Sequence, residues 1–172
     1  MKTIDRDTPL TAETVDRFLD VLATAPIEVD HILNGRSFDQ LRSKRSAEEF
    51  SLVENICHLR DIEIEAYTIR LQRILSEERP TLPDIDGSRL AIERDYNCQS
   101  AKEACDQFSR ARSDNVSRLR GIDVSQLERE GLLEGVGAVS LEKLLWLMHE
   151  HDKDHLSDMR VVCDWLDRTS QD

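Results

Sequence analysis

The chain has 172 residues and a formal net charge of −12, so it is the size of one ordinary domain and strongly acidic. That charge repels nucleic-acid phosphates and anionic membranes, and the basic residues are scattered, so neither is expected as a partner. No run approaches the roughly 20 apolar residues of a membrane span.

The composition is 39% hydrophobic, 34% charged and only 5% aromatic, with few Gly and Pro, which suits helices better than strands. The whole chain, residues 1–172, reads as a single domain. The segment Met1 to Leu10 has no apolar h-region, so no signal peptide is expected, and the cytoplasm is the expected location.

In chain order, the first helix is predicted from about Thr11 to Asn34. Val15, Phe18, Leu19 and Leu22 give it one buried stripe. Pro26 should kink or interrupt it, and Asn34-Gly35 should stop it. A polar connection follows, from Arg36 to Arg45.

The second helix has two candidate capping boxes, Ser46-Ala47-Glu48-Glu49 and Ser51-Leu52-Val53-Glu54, and runs to about Glu78, ahead of Pro80. The next connection holds Pro80, Pro83 and Gly87 and is long enough to line a cleft or cover the bundle end. A third helix starts at Ser100, shows Ala104, Phe108 and Ala111 on one face, and ends near Gly121. A glycine-containing loop leads to the fourth, from Ser140 to about Arg168. The predicted fold is all-α: a four-helix bundle with long connections and little or no strand.

Cys57, Cys98, Cys105 and Cys163 form no CxxC pair and no zinc-finger spacing, so they read as small buried apolar residues. No Gly-rich phosphate loop or GxSxG elbow is present. His149-Glu150 opens a zincin-like HExxH, but Lys153 stands at the closing position. A di-iron bundle needs two ExxH units, and only Glu28-Val29-Asp30-His31 fits. His31 reads as a partly exposed residue near a helix end, and His149 as structural or solvated.

The fourth helix carries the informative pattern. Its seam is Leu141, Leu144, Met148, His151, His155, Asp158, Val162 and Trp165. Polar groups in the middle of an apolar seam cost free energy unless something satisfies them. His151 and His155 lie one turn apart on one face and can chelate a single ion, with His58 on the second helix as a third donor. The face around His58 includes Glu54, Asp61, Ile62 and Glu65, where a carboxylate could orient the imidazole. Three neutral nitrogens with open positions suit zinc first, with nickel, iron or manganese as alternatives. The plainer reading of HxxxH is two solvated or hydrogen-bonded histidines.

At these residues the chain resembles the DinB-like family, including its YfiT-type members. The matching stretches are Ser51-Leu52-Val53-Glu54-Asn55-Ile56-Cys57-His58-Leu59-Arg60-Asp61 and His151-Asp152-Lys153-Asp154-His155-Leu156, with Arg79 to Asp84 and the helix bearing Phe108 and Arg112 between them. The resemblance covers about Thr11 to Trp165. It implies metal ligation by His58, His151 and His155, and a homodimer. Two positions depart from the family pattern: Phe50 stands where Trp is frequent, and Asp158 where Gln is frequent.

What the resemblance implies about chemistry is broader: a metal-dependent enzyme on a small molecule, either a transferase using a low-molecular-weight thiol or a hydrolase. Asp158, Glu54 and Glu65 are the candidate catalytic proton carriers or orienters. The alternative is a non-catalytic, metal-stabilised bundle acting in stress response or protein interaction.

Overall fold

The computed structural model describes residues 9–169. Most of the segment read as lacking a signal peptide, residues 1–8, lies outside that range. Four long helical rods form the bundle. They are α1 (Val15–Leu33), a second rod made of α3 (Leu52–Asp61), a π-helical turn (Ile62–Tyr67) and α4 (Thr68–Ser76), then α6 (Ala101–Arg120) and α7 (Leu141–Thr169). α1 packs on α6 and α7, and α3 packs on the same two, so the four close into a ring. No described helix is long and apolar enough to cross a membrane.

The helix starts follow from capping. Ser51, the second of the two candidates, caps α3: its Oγ accepts from the Glu54 N–H at 3.2 Å, and Glu54 Oε2 accepts from the Ser51 N–H at 2.7 Å. Ser100 caps α6 through the Glu103 N–H. α1 stops where Gly35 takes the left-handed conformation, φ +78°. Pro26 does not interrupt α1, which stays continuous around it and buries its ring.

Two connections hold more structure than expected. Arg36 to Arg45 contains α2 (Phe38–Arg42), started by a Ser37–Gln40 capping box. The long connection contains β1 (Thr81–Leu82), α5 (Gly87–Glu93) and a 3₁₀ turn (Tyr96–Cys98). From α5 onward it forms a strap tied to α3: the Tyr96 hydroxyl donates to Asp61 Oδ2 at 2.6 Å, and Arg94 reaches the same oxygen at 2.7 Å.

The expectation of little or no strand holds, and what strand there is forms one small sheet. β2 (Glu130–Leu133) pairs antiparallel with β3 (Gly137–Ser140) and parallel with β1. These strands are two to four residues long, too short to show alternation in sequence. The Leu82 side chain of β1 packs over Gly131 of β2, where a Cβ would lie 2.8 Å from Leu82 Cδ1. The cysteine reading needs correction: Cys57 and Cys105 are buried, but Cys98 is exposed and Cys163 half-buried.

The core falls into two clusters along the bundle axis. One holds Phe18, Leu22, Ile62, Val116 and Met148, and the other Ala25, Leu59, Phe108 and Leu156. On every rod the changeover falls at the same level. A belt of buried polar groups occupies that level.

Candidate metal centre

Arg112 sits at the middle of this belt and is 1% exposed. It donates Nε to Glu63 Oε1 at 3.0 Å and Nη2 to Glu63 Oε2 at 2.8 Å. It also donates Nη1 to Asp152 Oδ2 at 2.6 Å, Nη2 to Asp152 Oδ1 at 2.9 Å, and Nη1 to the Leu22 carbonyl at 2.8 Å. Asn115 donates to Glu63 Oε1 at 2.8 Å. One guanidinium thus serves two buried carboxylates. Burial pushes the Asp152 carboxyl up to about 6, although Arg112 pulls the other way. The π turn carries Glu63, and α7 carries Asp152 next to His151.

Beside the belt, α3 and α7 bring His58, His151 and His155 together. One ring nitrogen from each lies within 4.8 Å of the others, and among the described residues no carboxylate joins them. His58 Nε2 and His151 Nε2 are 3.0 Å apart. That is a hydrogen-bond distance, and it is a few tenths of an ångström short of the roughly 3.3 Å between two nitrogens that each bind one tetrahedral ion at about 2.0–2.1 Å. His155 is oriented by Asn55, whose Oδ1 lies 2.8 Å from His155 Nδ1. His58 Nδ1 is buried with no hydrogen-bond partner, and the strap presses against that edge of the ring. A Cβ on Gly87 would lie 2.2 Å from His58 Cε1 and 2.6 Å from Nδ1.

Burial lowers all three imidazoles. His58 falls to about 4, with His155 adding to the effect and the Gly87 backbone offsetting part of it. His155 falls to about 4 by burial alone. His151 falls to about 2 through burial, the two neighbouring histidines and Arg112. All three are therefore neutral near pH 7, the state in which imidazole is a ligand. The donor set, its spacing and its protonation state fit a divalent ion.

Next to His155 lies a cavity of about 450 Å³, lined in part by Arg45, Phe50, Asn55, Ser88, Asp158 and Val162. Phe50 packs its ring 5.6 Å from His58 and 6.5 Å from His155, between centroids. Asp158 is exposed on the cavity wall. Glu54 is engaged elsewhere, by the Ser51 N–H at 2.7 Å and by Lys44 at 3.0 Å. Glu65 pairs with Arg94 of the strap. Asp61 also faces the strap, so no carboxylate of this helix orients His58. His149 turns away, with its ring 5.7 Å from Phe18 and 6.0 Å from Trp146. His31 is exposed in the last turn of α1.

The sequence reading missed Asn55, Gly87 and the charges around Arg112. Arg112 did leave a signal: it stands four residues after Phe108, on the apolar face of α6. The contacts of Asn55 and Gly87 cross between distant segments and leave none.

Comparison with curated proteins finds no match. Among solved structures, the chain is similar to YfiT from Bacillus subtilis, described as a probable metal-dependent hydrolase with an unusual four-helix bundle topology. The two are 17% identical, and the match has a TM-score of 0.85 and covers 96% of this chain and 94% of that one. This likeness shows the fold. The family model of the DinB superfamily matches residues 21–159, the stretch that carries all three histidines, and the chain belongs to that superfamily.

Proposed function

We propose that the chain is a divalent-metal-dependent enzyme acting on a small molecule, with His58, His151 and His155 as the ligands. The observation that carries this reading is the convergence of three neutral imidazoles from two helices beside a cavity of about 450 Å³. Zinc or nickel suits three imidazoles, and iron or manganese can use the same donors. When bound, such an ion supplies Lewis acidity that favours the deprotonated form of a water or a thiol.

The chain's own residues supply the rest. Phe50, Val161 and Val162 form an apolar wall, and Arg45, Glu48, Glu49 and Ser88 offer polar contacts that orient a small substrate. Asp158 is the proton carrier in this reading, because it lines the cavity one helical turn beyond His155. Glu54 and Glu65 act as positioning residues, the first through the cap of α3 and the second through the strap. Hydrolysis, the activity attributed to YfiT, needs only water as the second reactant. Transfer to a low-molecular-weight thiol is the other reaction type.

The test is elemental analysis of protein purified without a histidine tag, beside His151→Ala. About one divalent ion per chain, absent from the variant, is the expected result. Esters and amides are then screened with and without added thiol, and a thiol requirement separates the two reaction types. No metal in wild type after loading with zinc, nickel and manganese would overturn the proposal. Tight metal with no exchangeable position would favour a metal-stabilised bundle without catalysis.

A further inference from the structure

We infer that Asn55 is a positioning residue that fixes which nitrogen of His155 carries its proton, and so turns the bare Nε2 lone pair to the metal; this rests on the metal-site reading above. Asn55 is 1% exposed, in a stretch of α3 whose neighbours Leu52, Val53, Ile56 and Cys57 are fully buried hydrophobic residues. A buried amide must have its polar atoms partnered. Here every one of them is used. Nδ2 donates to the Ser51 carbonyl at 3.0 Å and to the Phe50 carbonyl at 3.5 Å, while Oδ1 faces His155 Nδ1 at 2.8 Å.

These partners fix the amide's orientation. Backbone carbonyls only accept, so the end of Asn55 facing them must be the amino end. A flipped amide would place oxygen against two carbonyl oxygens and its amino group against His155. The oxygen end therefore faces His155, and a carbonyl oxygen accepts. His155 must donate from Nδ1, which leaves Nε2 without a proton. Four positions of one helix thus share the work. Ser51 and Glu54 set its first turn, Asn55 orients a ligand on α7, and His58 is itself a ligand.

The test uses protein labelled with ¹⁵N-histidine, in the metal-free state, with tautomers read from the ring nitrogen shifts. Zinc affinity is measured separately by competition with a chelating dye. In wild type, His155 is expected as the Nδ1–H tautomer. Asn55→Leu should lose that preference and weaken zinc binding by about 10- to 100-fold, the range typical of outer-sphere partners of a ligand. Asn55→Asp keeps an acceptor for Nδ1 but sets its second oxygen against the two backbone carbonyls, so it should restore the Nδ1–H tautomer at a cost in stability. An Nε2–H tautomer in wild type, or an unchanged tautomer in a folded Asn55→Leu, would overturn the inference. If Asn55→Leu does not fold, wild type and Asn55→Asp still decide through the tautomer alone. A wild type that binds none of zinc, nickel and manganese defeats the metalloenzyme reading, while the tautomer still judges Asn55 separately.

Discussion

Gly87 has no side chain where the His58 ring needs the space. An alanine there would bring its Cβ within 2.2 Å of Cε1, so either the ring or the strap must move. Gly87→Ala is expected to weaken zinc binding by about 10- to 100-fold and to destabilise the fold by about 1–3 kcal/mol. Chelator competition and urea unfolding measure the two. At this scale the histidine cluster was legible in the sequence, because two of its members share a helix at a spacing of four and the third sits on a capped helix. Gly87 and Asn55 were not, because each acts on a histidine held by a different segment. Asp158 was legible as a polar interruption of the α7 seam, and the structure puts it on the cavity wall.

Among the elements, the second rod carries the most demands. Its start is held by Ser51, whose hydroxyl caps Glu54 and donates to Asn97 Oδ1 at 2.7 Å. Ser51→Ala should cost about 1–2 kcal/mol in urea unfolding. Its middle contributes Glu63 to the buried charge belt. Arg112→Met would leave Glu63 and Asp152 without their shared cation and should destabilise by about 3–5 kcal/mol, far beyond an exposed pair. Unfolding midpoints of Arg112→Met and Arg120→Met, the latter exposed on the same helix and paired with Asp20, make the comparison. The four rods were legible from apolar periodicity and caps. The π turn was not, since its apolar and polar residues read as ordinary helix. The sheet was hidden by the shortness of its strands. α2 did announce itself, through the Ser37–Gln40 box, and was overlooked within a basic stretch.

For the molecule as a whole, the three clustered histidines tie stability to pH. In the unfolded chain they titrate near 6.5, while in the fold they are lowered to about 4 or below. Asp152, raised to about 6 by burial, works the other way over the same window, but three imidazoles outweigh one carboxyl, so protons on balance favour the unfolded state. The stability of the metal-free protein should be full above pH 6.5 and fall as the pH drops from 6.5 through 4. Melting temperatures measured across that window check this, and a flat profile would contradict it. Above pH 7, a metal at 100 times its Kd should add about 2.7 kcal/mol, a gain that His151→Ala should abolish. The polar belt was not legible at this scale, because it exists only where four rods meet.

The π turn marks the place where the second rod can gain or lose a residue. Between Ile62 and Tyr67 the second rod winds more slowly than the α-helix on either side. Deleting one residue there would let a continuous α-helix form, and each residue of such a helix advances by about 100°. Because the slower winding absorbs one extra residue, His58 and the pair Leu71 and Ile74 would keep nearly the same relative facing after that deletion. A deletion in the α-helical parts of the rod would instead turn everything beyond it by about 100°, and either His58 would leave α7 or Leu71 and Ile74 would leave the sheet-end core.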